Sequence, residues 1–489
     1  MQFDRDYYAI LGVPPDADER TIKQAYRQLA RRFHPDTRSE AGSTERFLEV
    51  QAAYELLLDP LQRNAYDHWR QQQGLDRPLP LSLRVTPSHD VLPCLSETQA
   101  LYVLIEISPS SEMGSSRIPL NLALVLDRST SMKGARLHQI KEAARAIVDQ
   151  LEPGDVLSVV TFSDRAQLVF PGQRDFDRAA ARSAISSILS GGGTELLQGL
   201  QLGLREVERY RAEGVHSHLI LLTDGQTYGD EEGCLEEARL AGEHHVYLTM
   251  IGVGSDWNDR LLDQMADLSR GTSIYIDSSS KIVEVFRDRL EGLASVYAQD
   301  LHLTVHLAEG VAIRESFRVS PLLKRLYFMD DTVALGSLEK QQPQAVILEL
   351  SLGGHDPGIH RLLQIVVEAV VPAISEQPMR AQQQVALPFE CDLGRRTSVP
   401  PDIVSAMGKL TIFKMQERAL SEIEMGQIEP AVNRLKTMAT RLLDIGEPEL
   451  ARAALLEASR LSSTGSLSTR GLKQLRYGTR GLTILPKGG

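Results

Sequence analysis

The stretch from Pro119 to Gly134, PLNLALVLDRSTSMKG, constrains what this chain can fold into more than any other. Its run Leu120–Leu126 is apolar almost throughout and has no helical polar face, the pattern of a strand buried on both sides of a parallel sheet. The run stops abruptly in oxygen donors. Asp127, Ser129 and Ser131 fall at alternate positions just past the strand, where an open α/β sheet places its ligand. A second run, HLILLTD from His218, ends in Asp224 in the same manner, and the glycine-rich turn Gly191 to Gly193 presents Thr194 ahead of a helical stretch. Asp155–Phe162 and Val246–Val253 read as further buried strands, so strands and helices alternate as in a doubly wound layer.

Mg2+ takes near-octahedral oxygen at about 2.0–2.1 Å and gives up water reluctantly, so hydroxyls with two carboxylates suit it. Cys and His are absent from the set, which argues against zinc. The alternative is a loop whose Ser and Asp cap a helix. Asp127, Ser129, Ser131, Thr194 and Asp224, in that order at strand ends, resemble the complete metal-ion-dependent adhesion site of von Willebrand factor A domains, over roughly Pro119 to Tyr297. The resemblance implies that Ser129, Ser131 and Thr194 touch the metal while Asp127 and Asp224 hold bound waters. It also implies Mg2+, or another divalent cation such as Mn2+ or Ca2+, and a protein ligand whose acidic residue completes the shell. In integrin-type relatives the last helix, expected here over Ser279–Tyr297, transmits ligand state. His244 and His245 precede the strand Val246–Val253, at the edge opposite the site, and read as surface residues.

Near the amino terminus the chain reads DYYAILGVPPDADERTIKQAYRQLARRFHPDT. Asp18 is an N-cap candidate, and Ile22, Tyr26, Leu29 and Phe33 follow as one apolar helical stripe. Lys23, Arg27 and Arg31 recur every fourth residue on another face; alone, such a stripe is usually a solvated surface. Pro35 stops the helix and leaves His34 and Asp36 at an exposed bend. A second stripe, Phe47, Val50, Tyr54, Leu57 and Leu58, can pack on the first as an antiparallel hairpin. This region, Asp4 to Gln73, resembles a J-domain, the module with which DnaJ-type co-chaperones engage a DnaK-type chaperone. The resemblance implies a chaperone-docking face of Lys23, Arg27, Arg31, His34, Pro35 and Asp36. The Gly/Phe-rich linker and cysteine zinc module of a full-length DnaJ are missing; a short proline-bearing connector, LDRPLPLSL, follows Gly74 instead.

A chain of 489 residues exceeds the roughly 250–300 that one core supports, so several domains are expected. The net charge of -12 argues against generic nucleic-acid binding. Cys94, Cys234 and Cys391 lie far apart, as suits a reducing compartment. No apolar run approaches the roughly 18 residues of a spanning helix, and the acidic start does not read as a signal peptide. These features lead to the expectation of a cytoplasmic protein that does not insert in membranes. No phosphate-binding loop, nucleophile elbow or H-E-x-x-H is present, so no enzyme activity is expected.

The expected architecture is multidomain: an α-helical J-domain (1–73), a connector with the first β-sandwich strands (74–117), a doubly wound α/β A domain (118–297), an antiparallel β-sandwich (298–395) and a C-terminal helical domain (396–489). Strand-like runs Leu81–Val85 and Ala100–Ile107 precede the A domain, and Leu301–Leu307, Ala345–Leu352 and His360–Val371 follow it. They read either as one sandwich with the A domain inserted or as a separate hairpin and sheet. The helical tail reads as a small bundle rather than a solenoid. Its basic segment KQLRYGTRGL is expected to dock on an acidic face or to hold an oligomer contact. The function that follows is a co-chaperone adaptor, recruiting a DnaK-type chaperone and holding a client through a divalent cation. The alternative is a metal-dependent scaffold with the J-domain as a localising handle.

Overall fold

Apolar stripes at helical spacing in the first 79 residues and apolar runs at strand spacing thereafter divide the chain into two units, Met1–Leu79 and Pro80–Gly489. The computed structural model describes residues 7–11, 13, 17–33, 43–72, 81–110, 117–227, 229–375, 377–391 and 398–482.

The first unit holds α1 (Tyr7–Leu11), α2 (Glu19–Phe33), α3 (Ser43–Leu58) and α4 (Pro60–Gln72). Asp18 caps α2, accepting from the Thr21 backbone N–H at 2.8 Å and from its hydroxyl at 2.5 Å. Ile22 of α2 and Val50, Ala53 and Leu57 of α3 are buried together with Tyr8, Leu11 and Tyr66. Tyr26 stacks on Tyr54 at 3.9 Å between ring centroids, so the two expected stripes do meet.

The second unit opens with β1 (Leu81–Pro87), β2 (Leu92–Pro93) and β3 (Gln99–Pro109), and then enters an α/β layer. Its strands are β4 (Leu120–Asp127), β5 (Val156–Phe162), β6 (Ala166–Arg174), β7 (His216–Thr223), β8 (Tyr247–Val253) and β9 (Thr272–Ile276). They lie in the order β6-β5-β4-β7-β8-β9, parallel except for the antiparallel edge strand β6. Every residue of β4, β5, β7 and β8 is buried, because helices cover both faces. Among these are α5 (Ala135–Gln150), α6 (Arg178–Ser186), α7 (Leu196–Glu208), α8 (Glu231–Glu243), α9 (Asp259–Leu268) and α10 (Ile282–Ala294). Helices α5, α6 and α10 pack on one face, and α7, α8 and α9 on the other. Helix α7 crosses β4 and β7 at Gly203, where any side chain would run into Val125 and Leu219. The entry to β4 is fixed by buried Asp155, which accepts from Arg117 at 2.9 and 2.7 Å and from the Leu120 and Glu152 backbone N–H groups at 2.8 Å each.

The chain then leaves through β10 (Val296–Leu307), β11 (Val311–Ser320), β12 (Lys324–Arg325), β13 (Thr332–Glu339), β14 (Gln344–Leu352), β15 (Gly358–Val370) and β16 (Met379–Glu390). The last A-domain helix is therefore shorter than the expected Ser279–Tyr297, since Val296 and Tyr297 already begin a strand of alternating burial. One sheet has the order β1-β3-β14-β11-β12 and the other β13-β10-β15-β16-β2. Strand β3, before the α/β layer, pairs with β14, after it, from Gln99↔Leu352 to Ile107↔Gln344. The layer is thus inserted between paired strands, as in the first of the two expected layouts. The expectation of a purely antiparallel sandwich needs correction: β2 runs parallel to β16, pairing Leu92 with Phe389. β2 is a two-residue passing segment between β1 and β3, and Pro93 has no N–H to give a longer ladder.

Four helices close the chain: α11 (Pro401–Glu424), α12 (Ile428–Asp444), α13 (Pro448–Thr464) and α14 (Thr469–Arg480). Gly426 and Gly446 take positive φ, at 74° and 83°, and end α11 and α12 where expected. The bundle packs its apolar faces on Leu104, Phe317 and Ile347 of the first sheet. The basic segment on α14 does dock on an acidic face, that of α9. Arg480 grips Asp263 with two bonds of 2.9 and 2.8 Å, the Tyr477 hydroxyl donates to Asp263 at 2.8 Å, and Arg476 pairs with Asp259. Between them buried Lys473 donates to the Ser255 and Trp257 carbonyls at 2.8 and 2.6 Å, its Nζ 4.0 Å from the Trp257 ring centre.

Candidate functional site

Strand β4 delivers Asp127 to the carboxyl edge of the sheet, fully buried. The chain then turns sharply, because Ser129 N–H donates to Asp127 Oδ1 at 2.8 Å and a short 3-10 turn, Thr130–Met132, follows. This brings the Ser129 and Ser131 hydroxyls to 3.0 Å of each other, and Ser131 donates to Asp224 Oδ1 at 2.6 Å. Asp224 arrives from the end of the neighbouring strand β7. The glycine turn is tied to the same edge by Gly191 N–H donating to Arg128 O at 2.8 Å and Thr130 N–H to Gly192 O at 3.1 Å. Gly192 sits at φ 88° with its Cα facing the Asp164 carboxylate, and Asp164 Oδ1 also accepts from Gly193 N–H at 2.7 Å. The turn leads to Thr194, whose hydroxyl faces the Gly225 Cα so closely that a Cβ there would lie 3.1 Å from it. All five oxygen-bearing residues singled out in the sequence therefore meet along one edge of the sheet.

Three participants were not read from the sequence. Thr223 donates to Asp127 Oδ2 at 2.7 Å. Arg136, at the start of α5, pairs with Asp224 Oδ2 and donates to Ser131 O at 3.3 Å. Gly225 leaves room for Thr194. Thr223, directly before Asp224, could have been found from its place at the strand end; Arg136 depends on how α5 is set against β7. Burial pushes the Asp127 carboxyl above its ordinary range and the Asp224 charge adds to this, against the donors Ser129 and Thr223. Two desolvated carboxylates, one of them paired with a partly exposed guanidinium, among hydroxyls and with no thiol or imidazole, form a donor set that fits a hard divalent cation. Among the described residues no three His, Cys, Asp or Glu side chains gather as a metal cluster. Any cation here would thus lean on hydroxyls and water as much as on carboxylates.

Arg136 also lies against Gly254, just after β8, and Trp257 Nε1 donates to the Gly254 carbonyl at 2.9 Å. The loop 254–257 consequently touches the oxygen cluster on one side and Lys473 of α14 on the other. His244 and His245 lie far from the cluster, exposed at the end of α8, and His245 Nδ1 is 2.7 Å from Asp300.

On the helical unit, Lys23 pairs with Glu19 one turn earlier, which raises its pKa, and Arg27 is exposed. Arg31 belongs to α2, but its side chain, like His34, Pro35 and Asp36, lies outside the described residues.

Comparison with known families agrees with this division. Residues 121–288 match the von Willebrand factor type A domain, 6–67 the DnaJ domain, and 401–484 the Sll0103-like, C-terminal alpha-helical domain. The chain thus carries a DnaJ-like domain, a von Willebrand factor A domain and a C-terminal helical bundle. It is similar to the uncharacterised protein sll0103 of Synechocystis sp., at 29% identity over 382 residues, covering 76% of this chain and 90% of that protein. The amino-terminal 65-residue match to the chaperone protein DnaJ of Cyanothece sp. is 57% identical, but covers only 13% of this chain and 17% of DnaJ. The solved von Willebrand factor type A protein from Catenulispora acidiphila shares the fold, with a TM-score of 0.67 at 18% identity over 82% of this chain and 96% of that one. The DnaJ and A-domain families are non-catalytic protein-interaction modules, so their union fits a chaperone adaptor or scaffold in general terms. Among the described residues no helix is long and apolar enough to cross a membrane.

Proposed function

We propose that this protein is a co-chaperone adaptor whose DnaJ-like domain recruits and stimulates a DnaK-type ATPase and whose A domain holds a protein client through a divalent cation, Mg2+ in the first instance. The observation that supports it is the meeting of Asp127, Ser129, Ser131, Thr194 and Asp224 at the carboxyl edge of the sheet, on the same chain as a DnaJ-like domain. Ser129, Ser131 and Thr194 would hold the cation, with Asp127 and Asp224 anchoring its waters. When bound, the cation supplies a Lewis-acid position for a carboxylate oxygen of the client. Thr223 and the Ser129 backbone hold Asp127 in place, and Arg136 keeps Asp224 compensated until the cation arrives. On the helical unit, Lys23, Arg27 and Arg31 would steer toward an acidic chaperone surface, and His34, Pro35 and Asp36 would set the contact.

Two measurements test the two halves separately. Calorimetric titration with Mg2+ should give binding that Thr194→Ala abolishes; equal binding by both proteins would remove the cation from the reading. ATPase stimulation of a DnaK-type chaperone should be lost in His34→Gln while the fold is kept, and unchanged stimulation would leave the alternative, a scaffold that uses the module as a handle.

A further inference from the structure

A cavity of about 270 Å³ opens at the amino-terminal ends of β7, β8 and β9, between the α/β layer, α10 and the two β-sheets. It shares no residue with the oxygen cluster. His218 lies six residues before Asp224, which puts the cavity about 20 Å from that edge.

Its polar lining is unusual in what it leaves unpaired. His218, Glu339 and Gln344 are all more than nine-tenths buried, and His218 Nδ1, Glu339 Oε2 and Gln344 Oε1 have no hydrogen-bond partner among the described residues. Each such atom costs the desolvation of a polar group unless something in the cavity satisfies it. Their characters can be assigned. Thr249 Oγ1 accepts from Arg289 Nε at 3.0 Å and lies 2.8 Å from His218 Nε2. Arg289 takes one lone pair of the buried hydroxyl, and Nε2 is the one acceptor within its reach among the described residues, so we assign the hydroxyl proton to that contact and the imidazole proton to Nδ1, as a donor. Burial lowers the ring pKa well below its usual value, which keeps it neutral. Glu339 Oε2 and Gln344 Oε1 are acceptors, since the Gln344 amide already donates to the Ser337 carbonyl at 3.0 Å.

The charges do not balance within the lining. Arg289 is matched by Glu339 at 2.7 Å, and Arg270 lies 3.4 Å from Asp300. Among the described residues the side chain of Arg318, from β11, has only a long bond, from Nε to the Leu322 carbonyl at 3.4 Å. Asp267, the acid that acts on it, is taken by Lys324. Among the described residues the Arg318 guanidinium thus has no ion-pair partner, the remaining acid of the lining being Asp288 at the exposed rim. It is accompanied by one neutral donor and two acceptors, with Ile274, Val285, Leu322 and Leu335 as apolar wall.

We propose that this cavity binds a small organic carboxylate that also carries hydroxyl or amino groups. The carboxylate would pair with Arg318 and accept from His218 Nδ1, while its donors would satisfy Glu339 Oε2 and Gln344 Oε1. One uncompensated positive charge suits a single carboxylate better than a phosphate monoester of nearly two charges. Because its contacts come from β7 and α10 on one side and β11, β13 and β14 on the other, the ligand fastens the inserted layer to the sheets that carry it.

The test is calorimetry and thermal unfolding of the full chain with D-glycerate, L-lactate, acetate and inorganic phosphate. At least one of the first two should bind and raise the melting temperature, with acetate weaker by about tenfold or more for want of the donor contacts. Arg318→Gln should weaken binding by about tenfold or more, whereas Arg314→Gln, an exposed residue on the same strand, should leave it unchanged. No binding by any probe would mean that water alone fills the cavity; binding of phosphate only, or equal binding by Arg318→Gln, would likewise overturn the proposal. Should Arg318→Gln fail to fold, the His218 ring signals of 15N-histidine-labelled wild-type protein, identified with His218→Gln, decide it. They must move on addition of the bound probe.

Discussion

Lys473 offers the sharpest test of how α14 is held. Its ammonium is buried against Trp257 and donates to two carbonyls, and desolvation pushes its pKa down from 10.5 to about 8. Between those two values the unfolded chain binds more protons than the folded one, so this residue makes stability rise with pH across the window. From pH 7 to pH 9 the gain works out at about 1 kcal/mol. Lys473→Met keeps the packing but has no proton to lose. At pH 7 it gives up two hydrogen bonds but also no longer buries a charge, whose desolvation, by the same downward pKa shift, outweighs what those bonds return to the ammonium. Trp257 reports the docking directly, because the protein has two tryptophans and Trp69 can be removed as Trp69→Phe. Urea unfolding followed by Trp257 emission should show wild type gaining about 1 kcal/mol on Lys473→Met between pH 7 and pH 9. A difference that stayed constant, or shifted in favour of Lys473→Met, would refute the account of the buried ammonium.

Two further outcomes follow from the ion pairs of the α/β layer. Arg136→Gln frees Asp224 from a pair that is about a third exposed on the arginine side, worth about 0.2–1 kcal/mol, so Mg2+ measured by calorimetry should bind up to about fivefold tighter; weaker binding would mean that Arg136 organises the cluster rather than competes for it. Asp155→Ala strands the Arg117 guanidinium and the backbone N–H groups of Leu120, at the start of β4, and Glu152, just after α5, and should cost about 3–5 kcal/mol in chemical unfolding. A loss below about 1 kcal/mol would show that Arg117 finds other partners.

The strands buried on both faces, β4, β5, β7 and β8, are legible as continuous apolar runs, and so are the strand-end positions of Asp127, Ser129, Ser131 and Asp224. Strands with one wet face are harder to see. In β11, VAIRESFRVS, charged residues interrupt the apolar ones, and in β16 a run of glutamines and Pro388 hides a strand that pairs along most of β15. Arg136 and the cavity were hidden for another reason. Their partners come from elements far apart in sequence, so only the packing of α5 on β7, or of α10 against β13 and β14, brings them together. The basic run in α14 is visible as charge, but its acidic counterpart on α9 looks like any solvated helix until the two are in register.

The pairing of β3 with β14 sets a clock on biosynthesis. Ile107 meets Gln344, so about 240 residues must be made before β3 gains its second neighbour. At about 5–20 residues per second that is a wait of about 12–50 s. β1 can cover one edge of β3 at once as a hairpin, and the α/β layer, whose strands pair within 120–276, can close meanwhile. The other edge of β3, a run reading ALYVLIEI, stays open for the whole interval with unpaired backbone groups and a strongly apolar face. Nascent chains crowded on one message would expose that edge to each other, so the yield of folded protein should depend on translation speed downstream of residue 110 more than on the stability of any finished part.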